Sequence, residues 1–82
     1  MRHDPEADAA YVYLTNNPAP RAAETCELEP DSVFVDYAAD GTLIGVEFLW
    51  VGEGVRLDRV PRADEVGQAL QAAGIAIKQA VP

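Results

Sequence analysis

Two apolar runs on either side of Asp40-Gly41 constrain this chain more than any other feature. Ser32 to Tyr37 and Thr42 to Trp50 alternate in side-chain character with the period of two that an extended strand imposes. An Asp-Gly pair between such runs signals a β-hairpin, because glycine supplies the positive φ of a tight turn without a Cβ clash. Counting outward from a turn over Ala38-Ala39-Asp40-Gly41 pairs Tyr37 with Thr42, Val35 with Ile44 and Val33 with Val46. It also sets Phe34 across from Gly45, where an aromatic ring would cover backbone that glycine leaves bare. Val33, Val35, Ile44, Val46, Phe48 and Trp50 then share one face, the expected core.

The same period marks Ala9 to Thr15 as a strand, with Ala10, Val12 and Leu14 on one face and Tyr11, Tyr13 and Thr15 on the other. Asp4-Pro5-Glu6-Ala7-Asp8 before it has turn chemistry, and Asn16 to Pro20 after it breaks the pattern. Arg21 to Leu28 is a weaker strand, followed by a turn at Glu29-Pro30-Asp31; Val55 to Val60 reads as a short further strand. Pro61 can open a helix, in which Ala63, Val66, Leu70 and Ala73 form one apolar stripe and Gly74 suits the position just past the end. Ile75-Ala76-Ile77 reads as a brief closing strand. The expected fold is α+β: an antiparallel β-meander of four or five strands with one C-terminal helix packed on a sheet face. Residues 1–82 form a single domain, divided into a β-meander over 1–50 and a strand and helix extension over 51–82.

Charge narrows the partners. Residues 1–50 carry ten acids and two arginines, whereas residues 51–82 carry four acids and four bases, so the whole net charge of −8 lies in the first part. Such a field repels phosphate backbones and anionic lipid, which disfavours nucleic acid and membrane and favours basic partners or solubility alone. Cys26, the single cysteine, excludes an internal disulfide and a cysteine-based zinc site. The acidic opening has no apolar stretch of signal-peptide type, so a cytoplasmic protein is expected. A chain of this length buries only roughly 60–65% of its unfolded surface. That thin core, with a sheet face that one helix cannot cover, makes a symmetric homodimer expected at least as much as a basic partner.

Few residues could carry chemistry. Asp4, Glu6 and Asp8, beside His3, resemble a hard-cation cluster. The calcium-loop spacing fails, however, because Ala9 and Thr15 stand where Gly and Glu are required, so no metal is expected. His3 and Ser32 are the sole histidine and serine, and His3 stands in a terminus expected to fray, so no nucleophilic triad is supported. Cys26 lies between Glu24 and Glu27, which raise rather than lower a thiol pKa, and is expected to be a small packed residue. With no glycine-rich loop before a helix, no cofactor is expected. Asp36 and Glu47 form the sharper pair, since the pairing above puts both on the face opposite the core, within about two cross-strand positions. A close carboxylate pair is what acid–base hydrolysis uses. Tyr11, Tyr13 and Trp50 are candidate interaction residues, as are Arg56, Arg59 and Arg62, the only basic cluster, which would meet the acidic half of a second copy.

The segments Asp4-Pro5-Glu6-Ala7-Asp8-Ala9-Ala10-Tyr11-Val12-Tyr13-Leu14, Val35-Asp36-Tyr37 and Asp40-Gly41-Thr42-Leu43-Ile44-Gly45-Val46-Glu47-Phe48-Leu49 resemble the bacterial domain-of-unknown-function 2283 family over about residues 4–49. His3 stands where the family usually has an aromatic residue, and Ala10 where it has a large aliphatic one. The resemblance implies a small β-meander of unassigned activity. It also implies an antitoxin-like role, since some relatives neighbour small ribonuclease-type toxins. The expected function is a non-catalytic protein-interaction module binding a small basic partner; the alternative is a small hydrolase or metal-binding enzyme using Asp36 and Glu47. A homodimer with a purely structural role is the third reading.

Overall fold

A computed structural model describes residues 1–16 and 20–78. Five strands form one antiparallel sheet: β1 (Arg2–Asp4), β2 (Ala9–Tyr13), β3 (Ala22–Glu29), β4 (Val33–Ala38) and β5 (Leu43–Leu49). Their order across the sheet is β1-β2-β5-β4-β3, so the β3-β4-β5 meander is extended on the β5 side by the β1-β2 hairpin. A 3-10 turn over Val51–Glu53 leads to β6 (Val55–Arg56), α1 (Ala63–Ala72) and β7 (Ile77–Lys78). Among the described residues no helix is long and apolar enough to cross a membrane.

The hairpin at Asp40-Gly41 forms, but its register differs from the expected one by two residues. Ala38 and Thr42 flank a three-residue loop: the Gly41 N–H donates to the Ala38 carbonyl at 2.9 Å, and the Ala38 N–H to the Thr42 carbonyl at 2.8 Å. Gly41 sits at φ +89°, the glycine position that completes such loops. Asp40 accepts from the Thr42 N–H at 2.9 Å, and the Thr42 hydroxyl and N–H hold its carboxyl below the usual range. A second shift follows, because Tyr37 pairs with Leu43 and Asp36 with Gly45, skipping Ile44. Each device moves the pairing by one residue. Their sum is even, so residues 45–49 keep their expected faces, whereas Leu43, opposite Tyr37, packs against the core and Ile44, expected in the core row, is buried outside that cluster. Val35 therefore meets Val46, Val33 meets Phe48 and Phe34 meets Glu47.

One face of the sheet is closed. Ala10, Val12, Val33, Val35, Val46 and Phe48 form a cluster with Val66 and Leu70 of α1 and with Val51, Val55, Val60 and Ile75. Phe48, Leu70, Val35, Val46 and Val66 are almost wholly buried. The helix ends in a Schellman arrangement, with the Ile75 N–H donating to the Leu70 carbonyl and the Gly74 N–H to the Gln71 carbonyl, each at 3.0 Å. Ile75 and Leu70 are both in the core, so the cap and the packing reinforce each other.

Three further expectations change. Trp50 is not in the core: β5 stops at Leu49, Trp50 turns out of the strand at φ +58°, and its side chain is 56% exposed. The start of the chain is not frayed, because Arg2, His3 and Asp4 pair with Tyr11, Ala10 and Ala9. Asp4-Pro5-Glu6-Ala7-Asp8 is the turn of that hairpin, with Asp4 accepting from the N–H groups of Glu6 at 3.1 Å and Ala7 at 3.2 Å. The strand expected over Val55 to Val60 shrinks to Val55–Arg56, which pairs in parallel with Ile77–Lys78 in a separate two-stranded sheet. The chain break expected from Asn16 to Pro20 falls partly on residues 17–19, outside the described residues.

Gly41→Val should destabilise the domain by more than about 1 kcal/mol, because a β-branched residue is poorly tolerated at positive φ. The cost is purely conformational, since a Cβ there meets open space. A thermal melt should show a drop of about 4–8 °C per kcal/mol for a domain of this size. An unchanged melting temperature would contradict the turn geometry.

Candidate functional site

The face of the sheet opposite α1 carries a row of side chains that crosses all five strands. Arg2 pairs with Tyr11, Tyr11 with Glu47, Glu47 with Phe34 and Phe34 with Glu27. In the neighbouring row Tyr13 pairs with Gly45, Gly45 with Asp36 and Asp36 with Thr25. Asp36 and Glu47 thus lie on one face, as the alternation predicts, and the register shift makes Gly45, two residues from Glu47, the partner of Asp36.

Gly45 lets the two rows interlock. A Cβ at that position would lie 2.4 Å from Cε1 of Tyr11 and 2.6 Å from the Val12 carbonyl oxygen, so only glycine leaves room for the ring. Tyr11 therefore reaches over β5 and donates its hydroxyl to Asp36 Oδ2 at 2.7 Å. The ring over a glycine was expected from Phe34; register places Tyr11 there instead. Thr25 donates to Asp36 Oδ1 at 2.5 Å, so both carboxylate oxygens of Asp36 are engaged. Burial, followed by the Asp36 hydrogen bond and charge, pushes the Tyr11 phenol well above its ordinary value. The Tyr13 ring leans on Tyr11 at 4.7 Å between centroids and 52° between planes, with 48% of the residue exposed.

Glu47 is exposed, and no hydrogen bond from the described residues reaches its carboxylate. With Arg2, Asp4, Ala9, Ala10, Tyr11 and Tyr13 it lines an open depression of about 380 Å³. A second hollow of about 210 Å³ lies beside Leu49, Trp50, Arg56 and Lys78.

The remaining candidates are dispersed. Asp8 accepts the Gly52 N–H on Oδ1 at 2.8 Å and the Val51 N–H on its carbonyl at 3.1 Å, so it fastens the first hairpin to the 3-10 turn. Glu6 is exposed in the turn before β2. Among the described residues no group of three His, Cys, Asp or Glu side chains could hold a metal ion. Trp50 donates its indole N–H to the Asp31 carbonyl at 3.2 Å. Arg56 pairs with Asp58 at 3.3 Å, and Arg62 pairs with Glu65 at 2.7 Å while also donating to the Leu14 carbonyl at 2.8 Å. Arg59 is exposed, so two of the three arginines already have partners within their own chain. Cys26 is half-buried opposite Val35, its thiol pKa raised by burial and by Glu24.

Two residues of the face are missing from the sequence expectations. Thr25 could have been found by placing Arg21 to Leu28 beside Ser32 to Tyr37. Arg2 could not, since a three-residue strand carries no periodic signal.

The model of one protein family matches residues 1–51, under the description "Protein of unknown function (DUF2283)". The chain belongs to the DUF2283 family. The match covers all five strands of the main sheet and stops at Val51, the first core residue beyond it. The DUF2283 segment thus includes the whole open face, whereas β6, α1 and β7 lie outside it. Comparison with curated proteins gave no match, and comparison with solved structures gave none.

Tyr11→Phe should cost about 1–2 kcal/mol, because it leaves a carboxylate oxygen of Asp36 without its donor. Gly45→Ala should cost more, since ring and backbone must both move. An ultraviolet titration should show one tyrosine resisting ionisation above pH 10, and Tyr11→Phe should remove that phase. The sign follows from the raised pKa: the contribution to stability is complete below the unfolded phenol value near 10 and is lost as pH rises beyond it. Uniform titration of all tyrosines near pH 10 would contradict the hydrogen bond.

Proposed function

We propose that the chain is a non-catalytic protein-interaction module that presents the open face of its sheet to a basic protein surface. One observation carries this reading: α1 covers only the face bearing Val12, Val46 and Phe48, leaving Tyr11, Tyr13 and Glu47 uncovered on the other. Aromatic residues beside unpaired polar groups are the usual composition of contact surfaces. Asp4, Glu27, Asp36 and Glu47 against Arg2 make the face acidic, which selects a basic partner and disfavours a second copy docked through it. In the form that the family resemblance favours, the module acts as an antitoxin-like neutraliser of a small basic protein. The proposed setting is the cytoplasm, where a free thiol such as Cys26 persists.

The geometry gives less support to a hydrolase. Asp36 already accepts a hydroxyl on each oxygen, which stabilises its ionised form and makes it a weaker base. The depression beside Glu47 is open to solvent, and Asp4, the other acid lining it among the described residues, already accepts the N–H groups of Glu6 and Ala7.

Affinity capture from native lysate tests the proposal. The wild-type chain should retain a stoichiometric basic protein, and Glu47→Lys should release it. Gln68→Ala, on the exposed side of α1, should have no effect. Retention unaffected by Glu47→Lys would contradict the assigned face. A salt-independent dimer in sedimentation, with no basic protein bound, would replace the heterologous partner with a second copy.

A further inference from the structure

We infer that the depression on the open face is a seat for an arginine of the partner, with its guanidinium against the Tyr13 ring and bound by the Glu47 carboxylate. The inference rests on reading this face as the surface that meets a basic protein, and it names the group recognised there. Of the two carboxylates near the tyrosines, Asp36 has each oxygen occupied by a hydroxyl, at 2.7 Å from Tyr11 and 2.5 Å from Thr25. Glu47 is exposed and unbonded among the described residues, so it is the acceptor left for an incoming donor.

The aromatic wall is set before anything binds. Asp36 holds Tyr11, Tyr11 supports Tyr13 at 4.7 Å, and Tyr13 remains half exposed and lines the same depression as Glu47. A site already ordered loses little conformational freedom on binding. A cation over such a ring is attracted by its negative face, and a carboxylate at the ring edge adds a charge-assisted hydrogen bond. Guanidinium suits this pairing better than ammonium, since it is flat enough to stack, presents a fork to the carboxylate and is more weakly hydrated. At about 380 Å³ and open to solvent, the depression lies near the small end of ligand pockets, a size for one inserted side chain. Arg2 lines the same depression and opposes an incoming cation, but Asp4 and Glu47 outnumber it.

Titration of the labelled protein with a hexa-arginine peptide, and separately with hexalysine, followed by NMR, tests the seat. The arginine peptide should shift the Tyr11 and Tyr13 ring signals and the Glu47 resonances, and bind about threefold or more tightly than the lysine peptide. Glu47→Gln and Tyr13→Leu should each abolish that preference, whereas Tyr13→Phe should keep it. Asp64→Asn, which removes one charge on the helix side, should leave it unchanged. Equal affinity for both peptides, with Glu47→Gln no different from Asp64→Asn, would overturn the arginine seat and leave the basic-partner reading standing. Absence of shifts on the open face with either peptide would also overturn the seat, and the lysate capture would then judge the wider reading independently.

Discussion

A single ten-residue helix has to close a five-stranded sheet, and it can cover only one side. That constraint orders the rest of the molecule. Val66 and Leu70 reach the sheet at Val12 and its neighbours, and the chain around them supplies Val51, Val55, Val60 and Ile75 to finish the same core. Burial of this kind is worth roughly 1.5–3 kcal/mol per large side chain, which is why a helix this short persists when packed and would be marginal alone. The family match stops where the sheet stops, so the helix completes a core whose other half lies in the shared segment.

Among the described residues no layer covers the opposite face, yet it is ordered. Tyr11 spans three strands by lying over Gly45 and binding Asp36, and it supports Tyr13 on its outer side. An aromatic surface normally becomes ordered when something packs against it; here the strands' own polar groups hold it. Two rigid tyrosines stand there beside Glu47, whose carboxylate receives no hydrogen bond from the described residues, whereas Asp36 is held by the hydroxyls of Tyr11 and Thr25.

Much of this was legible in the sequence, and the failures have definite causes. Alternation alone put Val33, Val35, Val46 and Phe48 on one face and Asp36, Glu47, Tyr11 and Tyr13 on the other. The register was not legible, because it depends on two local devices, the three-residue loop before Thr42 and the skipped Ile44. Without register, the ring over Gly45 could be assigned only by kind, and the link from Tyr11 to Asp36 could not be seen at all. Trp50 continued the apolar pattern of β5 in sequence, yet its left-handed backbone ends the strand one residue earlier. Asp8 read as one member of an acidic cluster, whereas its partners lie more than forty residues away, at Val51 and Gly52.

The account stands on which face of the sheet is open, and paramagnetic relaxation by a neutral, soluble gadolinium chelate reads that most directly. On dilute protein, protons of Tyr13 and Glu47 should relax strongly, whereas those of Val46, Phe48 and Leu70 should be protected. Strong relaxation at Phe48 and Leu70, or protection of Tyr13 and Glu47 in a monomer, would contradict the account, since α1 would then cover the other face.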